Sequence, residues 1–549
     1  MKISKLHPRT IIRVGKREFR RWRSDLWIRR MNSRLRRAAL QRPSQKPVVF
    51  FDASTRIGDI SLNSAYSLVA AWAVRLAGIP VARFVCQQGM SHCVLGTSHQ
   101  DVRQPMPCRK CTRRSRIHYA GTGETAFGYQ PDPALAAALE KLDLEELCRF
   151  EQPLPPDWSL PVKTIPLGRL ALPALRWFLR RHNLIDDEST RYLCREFMLS
   201  AWNVAREFYP FMRRLDPQLV VVFNGQFFPE ATARWVARQA GLRVITHEVG
   251  LHPLTGFFTD REATIYPIRI EDDYDLGPAQ NARLDAYLEK RFQGKFSMAG
   301  INFWPEMRDL DATLLERLQQ FKQIVPVFTN VVFDTSQPHS NVVFKDMFVW
   351  LDLVLDLARK YPQTFFVIRA HPDEARPSKA ADESVARWVE DRQAARLPNV
   401  MFVGPEQYIS SYELIRRSKF VMIYNSTIGM EASIMGKPVV SAGLSRFTEY
   451  PTVFFPRSTA AYRRQVEEFL EAEGIQVPAE HARQSRRFLY YQVFRVSLPF
   501  DAFLEPAETP GFIFFKPFNW RLLSPQKSPT IRAILAGLFD GRQFELEEF

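Results

Sequence analysis

The sequence predicts an α/β protein made of two successive doubly wound domains, and three observations carry the prediction. At 549 residues, 46% of them hydrophobic, the chain exceeds what one hydrophobic core ordinarily serves. Short apolar runs rich in Val, Ile and Phe alternate with longer segments of helical period, which implies parallel strands joined by crossover helices. The alternation occurs twice, first from Pro47 and again from Ile324.

In the first series, "KPVVFFDAS" reads as a buried strand, "LNSAYSLVAAWAVRLAG" as a helix ending at Gly78, and "VARFVCQ" as a second strand. The unit returns as strand Leu219 to Phe223, the turn Asn224-Gly225, a helix, and strand Arg243 to Thr246. Between them, Pro153 to Arg214 is mainly helical. Leu251 to Pro305 is mixed and polar, with a helix around Asn281 to Arg291, and is expected to connect two lobes. The second series opens with "IVPVFTN", a strand in spite of Pro326, which argues for an irregular start. Phe344, Met347, Phe348, Leu351, Leu355 and Ala358 form an apolar helix face before strand "TFFVIRA". Strand "NVMFVG", a helix opened by the capping-box spacing Ser410-x-x-Glu413, and strands "FVMIY" and "PVVSA" complete it. Predicted boundaries are 1–46 for an N-terminal arm, 47–304 and 305–484 for the two domains, and 485–549 for an extension packing back on the lobes.

The net charge of +16 is unevenly placed: Met1 to Lys46 carry +14 of it, so the folded body is nearly neutral and nucleic acid is not an expected partner. Phe19, Trp22 and Leu26, and then Trp27, Met31 and Leu35, follow helical spacing among closely set arginines. That pattern suits an amphipathic helix on an anionic membrane surface, the alternatives being a solvated or disordered tail or an arm that touches RNA. The arm lacks the apolar core and small-residue cleavage site of a secretory signal, and no uncharged apolar run approaches the ~20 residues of a membrane span. The expected location is cytoplasmic, peripheral on the inner face of the membrane.

Four of the six cysteines, Cys86, Cys93, Cys108 and Cys111, crowd into 26 residues. Cys108-x-x-Cys111 is a candidate metal knuckle; thiolates of both pairs could enclose a structural zinc, with His92 or His99 able to replace one.

Three loops of the second series follow strand ends: Asn330 and Asp334 after the first, Arg369 and His371-Pro372 at the second, and Asn425 to Gly429 after "FVMIY". In "YNSTIGMEASIMG", Ser426 or Thr427 can cap a short helix whose first amides, with the hydroxyls, would face an anion. A capping box ending at Glu431 would need a hydroxyl at Ile428, so Glu431 reads as a free carboxylate suited to ribose hydroxyls. His371 could donate to a phosphate or leaving group.

The runs "FTNVVFD", "VIRAHPDE", "ISSYELI" and "YNSTIGMEASIMGKPVVSAG" resemble bacterial capsule and surface polysaccharide biosynthesis proteins, a GT-B glycosyltransferase group that includes 3-deoxy-manno-octulosonic acid transferases. The His-Pro and Ser-Thr pairs also resemble those of bacterial sialyltransferases, and "GMEASIMGKPVV" is similar to the acidic helix of other GT-B enzymes. The resemblance is strongest over Val325 to Gly443, and weaker over "FNG", "THEVG" and the cysteines. It implies two Rossmann-like domains facing a cleft, with acceptor on the N-terminal domain and a CMP- or UDP-linked sugar on the C-terminal one. It further implies that His371 contacts the donor phosphate or leaving group, that Ser426 and Thr427 contact phosphate, and that Glu431 contacts ribose or sugar. Asn330, Asp334, Arg369, Asn425 and Gly429 complete the expected donor site.

For the catalytic base, "HEVG" loosely matches the acidic-acidic-glycine motif of the sialyltransferases, with His247 in place of the first acid. Glu248 is the candidate, and Asp52 and Asp59 compete with it. Asp273-Tyr274-Asp275 reads as a solvated acidic loop, and no metal cofactor is expected in catalysis. The expected function is sugar transfer to a surface polysaccharide or glycolipid acceptor. The alternatives are a polyol-phosphate transferase or sugar-nucleotide epimerase of the same fold, and a non-catalytic nucleotide-binding assembly protein tethered to the membrane.

Overall fold

The computed structural model describes residues 8–38, 45–53, 60–295, 307–335, 337–376 and 380–548, with side chains of the first helix from residue 14 onward. Asp59 lies outside the described residues. The chain forms two compact units, one of Met1–Leu175, Ile185–Tyr266 and Arg495–Phe549, the other of Arg176–Leu184 and Pro267–Phe494.

The first unit begins with a helix, α1 (Pro8–Ala38). Only part of it behaves as an appendage. Ile28, Met31 and Leu35 are buried in the unit's main core, and Trp27 meets Phe518 edge-on at 5.5 Å. Asn32 donates to the His118 carbonyl (2.9 Å) and accepts from the Trp72 indole (2.7 Å). Of the first apolar row, Phe19 and Trp22 remain outside, each 59% exposed, while Leu26 is half-buried. The sheet runs β1 (Val48–Asp52), β2 (Val81–Cys86), β3 (Glu124–Phe127), β4 (Leu219–Phe223), β5 (Arg243–Val249) and β6 (Thr255–Thr259). Its order is β6-β5-β4-β1-β2-β3, parallel except for β6, with the short strand Leu498–Pro499 outside β6. Every residue of β1 is buried, as continuous apolar strands covered on both faces require.

Crossover helix α2 (Leu62–Leu76) is capped by Ser61, whose hydroxyl accepts from the Ser64 amide (3.2 Å). Helix α3 (Cys108–Tyr119) joins β2 to β3, and α4 (Glu188–Leu215) precedes β4. The C-terminal segment is part of this core: Phe500, Phe503, Ile513, Phe515, Ile531 and Ile534 are buried with α2.

The second unit carries a five-stranded parallel sheet of β7 (Gln323–Phe328), β8 (Thr364–Arg369), β9 (Val400–Val403), β10 (Val421–Ile423) and β11 (Val439–Ser441), in the order β9-β8-β7-β10-β11. Its start lies ahead of the expected residue 305, because helix α5 (Pro278–Phe292) buries Leu284, Leu288 and Arg291 here and Arg486 donates to Asn281 (2.8 Å). Pro326 sits inside β7. It is tolerated because β10 pairs only with Val327 and Phe328, so no ladder bond to β10 calls on the missing N–H. Helix α6 (Met347–Lys360) buries Trp350, Leu351, Val354 and Leu357 against the sheet, and Asp346 caps it by accepting from the amides of Phe348 and Val349. Both units are therefore Rossmann-like, the domain complement of the GT-B class.

Candidate functional site

In the second unit the strand order reverses at β7, which has β8 on one side and β10 on the other. Ligands of open α/β sheets bind outside the carboxyl ends of strands at such a switch point. Register shows which residues emerge there. Phe328 lies beside Arg369 on β8 and beside Ile423 on β10. Asn330, His371 and Asn425 each come two residues later, so the three emerge together over adjacent strands spaced about 4.8 Å apart.

Side-chain contacts tie this edge together. Asn330 Nδ2 donates to Asn425 Oδ1 (2.7 Å), Gln337 Nε2 donates to the same oxygen (3.4 Å), and Asn425 Nδ2 donates to the Ser340 hydroxyl (2.6 Å). The buried Tyr424 hydroxyl donates to Asn341, and burial together with the nearby Asp346 carboxylate raises its pKa. His371 caps the short turn Pro372–Ala375, with Nδ1 accepting from the Asp373 amide (3.2 Å). A neutral ring held in this way carries its proton on Nε2 and can donate from there.

Helix α7 (Ser411–Arg417) starts with the expected cap, the Ser410 hydroxyl accepting from the Glu413 amide (3.3 Å). Glu413 pairs with Arg416 rather than reaching back to the cap. Helix α8 (Ile428–Ile434) has seven residues, and its N-cap, Thr427, makes no side-chain capping bond. Ser426 and Thr427 stay half-buried beside Asn425.

Glu431, Gly429 and Arg369 are held within the fold, whereas Asp334 lies where expected. Glu431 is not a free carboxylate: it is 1% exposed, Oε1 accepts from Arg291 Nη2 (2.6 Å) and Oε2 accepts from the Tyr412 hydroxyl. Burial raises the Tyr412 pKa, and the Glu431 charge adds to it. Gly429 is required by packing, since a Cβ there would lie 2.4 Å from Ile423 Cδ1 and 3.3 Å from Val439 Cγ1. Arg369 is buried with Nη2 donating to the Gln407 carbonyl (3.3 Å), and burial lowers its pKa to about 10. Asp334 lies in the loop after β7, where its carbonyl accepts from the Gln337 amide (3.0 Å).

Sequence reasoning missed Gln337, Ser340, Asn341, Arg291 and Tyr412. The first three form a polar cluster in "QPHSN", and clustering in a post-strand loop was the available signal. It also missed His182, which belongs to this unit and lies 3.4 Å from Asn341 Nδ2; burial and then Arg176 depress its pKa to about 4.

Glu248 belongs to the first unit, at the carboxyl end of β5. Oε1 accepts from Asn63 Nδ2 (3.1 Å) and the Val249 amide (2.8 Å), and Oε2 from Asn224 Nδ2 (2.9 Å). Its neighbour His247 is buried, with a pKa depressed by that burial to about 3. Asp52 is a poorer base, because it is 7% exposed and held by Arg83 and by the Ser67 hydroxyl (2.8 Å). Asp275 lies on the exposed acidic loop and pairs with Arg483 (2.9 Å).

No family model matches this sequence. Protein FixF of Sinorhizobium fredii (strain NBRC 101917 / NGR234) is 27% identical over 239 residues, 42% of this chain. The chain spans about half the length of that curated relative, 49% of it. Its solved neighbours include Kdo transferases. Thermosulfurimonas dismutans KpsC, a beta Kdo 2,7 transferase, matches 56% of this chain and 85% of its own at 14% identity and TM-score 0.31. UDP-GlcNAc 2-epimerase from Neisseria meningitidis, bound to UDP-GlcNAc, matches 81% of this chain and 98% of its own at 12% identity and TM-score 0.25. Likeness at this level does not transfer a substrate.

Proposed function

We propose that the protein is a glycosyltransferase that takes a sugar from a CMP- or UDP-linked donor and passes it to a surface glycan or glycolipid. The observation that carries this reading is the row of Asn330, His371 and Asn425 at the switch point of the second unit, bounded by Ser426 and by Thr427, whose hydroxyl makes no capping bond. In this reading Ser426, Thr427 and Asn425 contact donor phosphate, and His371 donates from Nε2 to the leaving oxygen. Charge developing on that oxygen is met by these donors, without a bound metal. Glu431, with Arg291 and Tyr412, braces α8 behind the phosphate contacts.

The acceptor is assigned to the first unit. There Glu248, oriented by Asn63 and Asn224, takes the acceptor hydroxyl proton if the reaction inverts configuration. The exposed Phe19 and Trp22 of α1 keep the enzyme at a membrane surface where lipid-linked acceptors are found.

The deciding experiment is a thermal-shift screen with CMP, CDP, UDP and GDP, because a ligand selective for the native state raises its melting temperature. One nucleotide should give a clear shift that Asn425→Ala removes, and His371→Ala should lower transfer about 100-fold or more. Absence of a shift with every nucleotide sinks the proposal, and product analysis separates transfer from epimerisation.

A further inference from the structure

Outside this site, the first unit holds a cavity of about 40 Å³ whose lining includes Cys86, Cys93, Cys108 and Cys111 together with Met90, Val94, Leu95 and Met106. The four sulfurs come from separate pieces of chain. Cys86 ends β2, Cys93 lies in the loop that follows, and Cys108 and Cys111 occupy the first turn of α3. None of the four is in a disulfide.

Three features suit this cavity to a metal rather than to a redox pair. The first is the number of thiols, since a disulfide would use two and leave two. The second is the backbone around them. The Gly89 amide donates to Cys86 Sγ (3.3 Å), while the Gly96 amide donates to the Cys93 carbonyl (3.1 Å) and closes the turn that carries the second sulfur. An amide turned onto a sulfur, as at Cys86, is the arrangement that stabilises a thiolate bound to a cation. Gly96 is part of this wrap, because a Cβ there would stand 3.1 Å from Cys93 Sγ and 3.2 Å from Met106 Sδ.

The third feature is charge. The start of α3 favours anionic sulfur, and Arg109, Lys110 and Arg113 on the same helix are exposed beside it.

We propose that Cys86, Cys93, Cys108 and Cys111 form a tetrathiolate zinc site that fastens the end of β2 to the start of α3. Binding converts four thiols and Zn²⁺ into a tetrahedral complex of charge 2− and releases four protons to solvent. The adjacent basic residues of α3 offset the two negative charges. Among the described residues no three His, Cys, Asp or Glu side chains already stand at metal-ligating separations, so binding would require the thiols to close inward across the cavity.

Neither expected histidine serves as a ligand. His92 is occupied at Nδ1 by Glu196 (3.1 Å) and at Nε2 by the Val102 carbonyl (2.9 Å), and His99 is exposed and outside the lining.

The test is metal analysis of the full chain purified from zinc-supplemented medium, followed by cobalt exchange. About one equivalent of zinc per chain is expected, retained through EDTA dialysis and released by a mercurial thiol reagent. The Co²⁺-exchanged protein should show the thiolate charge-transfer and visible bands of a tetrahedral four-sulfur site. Cys108→Ser/Cys111→Ser should lose the zinc; if that variant fails to fold, the wild-type cobalt spectrum still decides. The proposal is overturned by metal-free protein whose cysteines all react with a thiol reagent, by zinc that EDTA removes, by a cobalt spectrum without four sulfurs, or by a disulfide among the four.

Discussion

Replacing Glu431 separates two roles for one carboxylate. As a ribose contact it could be lost at little cost to folding. As built, it is the buried partner of Arg291, with side chains 2% and 9% exposed and 2.6 Å between them, and it also accepts from Tyr412. Glu431→Ala would leave the guanidinium charged in a site from which water is excluded, and breaking one side of such a pair costs about 3–5 kcal/mol. In a unit of this size 1 kcal/mol corresponds to about 2–4 °C, so the second unit's transition should fall by about 10 °C. Scanning calorimetry is the assay. Glu431→Gln should lose less, since it keeps an acceptor for Arg291. A double replacement, Glu431→Leu with Arg291→Met, should lose less than the sum of its parts. If Glu431→Ala melted within about 2 °C of wild type while abolishing the nucleotide-induced shift, the carboxylate would belong to the ligand and the bracing role would be wrong.

Three other outcomes are expected. Gly429→Ala should destabilise the second unit by about 1–3 kcal/mol in denaturant titration, because its Cβ would overlap Ile423; an unchanged midpoint with weakened nucleotide binding would return Gly429 to the ligand. Glu374 is buried, and that burial raises its pKa to about 8 although it accepts from the Val385 amide. The folded state therefore holds a proton that the unfolded chain has released between about pH 4.5 and 8, so stability falls as pH rises through that window. Glu374→Gln should flatten the fall and stabilise the protein at pH 8 by on the order of a few kcal/mol, read from unfolding midpoints across the pH range. Phe19→Ser with Trp22→Ser should abolish co-sedimentation with anionic vesicles at an unchanged melting temperature, since both rings are exposed; retained binding would remove α1 from membrane contact.

The strands were legible because a parallel sheet covered on both faces needs unbroken apolar runs, and Leu219–Phe223 was delimited to the residue. The loops of the candidate site were legible for the same reason: once the strands are placed, their carboxyl ends locate Asn330, His371 and Asn425. Periodicity names the face that must be covered but not what covers it. Trp27, Met31 and Leu35 form an apolar row whose spacing suits a membrane surface, whereas Met31 and Leu35 are buried in the core of the first unit and Trp27 packs against it. Charge totals fail in a related way. The arm's excess is a property of sequence neighbours, yet Arg20 and Arg23 meet Glu505 and Glu508 from the far end of the chain. The same limit explains Glu431. Helix-cap arithmetic showed correctly that it does not cap α8, but a carboxylate released from one local partner is not thereby free. Its partner, Arg291, is 140 residues earlier, on a helix whose amphipathic pattern marks an apolar face without disclosing that a guanidinium is buried with it. A buried charge is therefore assigned by its partner in space. For this chain that moves Glu431 from the ligand to the scaffold, and leaves Asn330, Asn425 and His371 as the side chains on which nucleotide binding should first be tested.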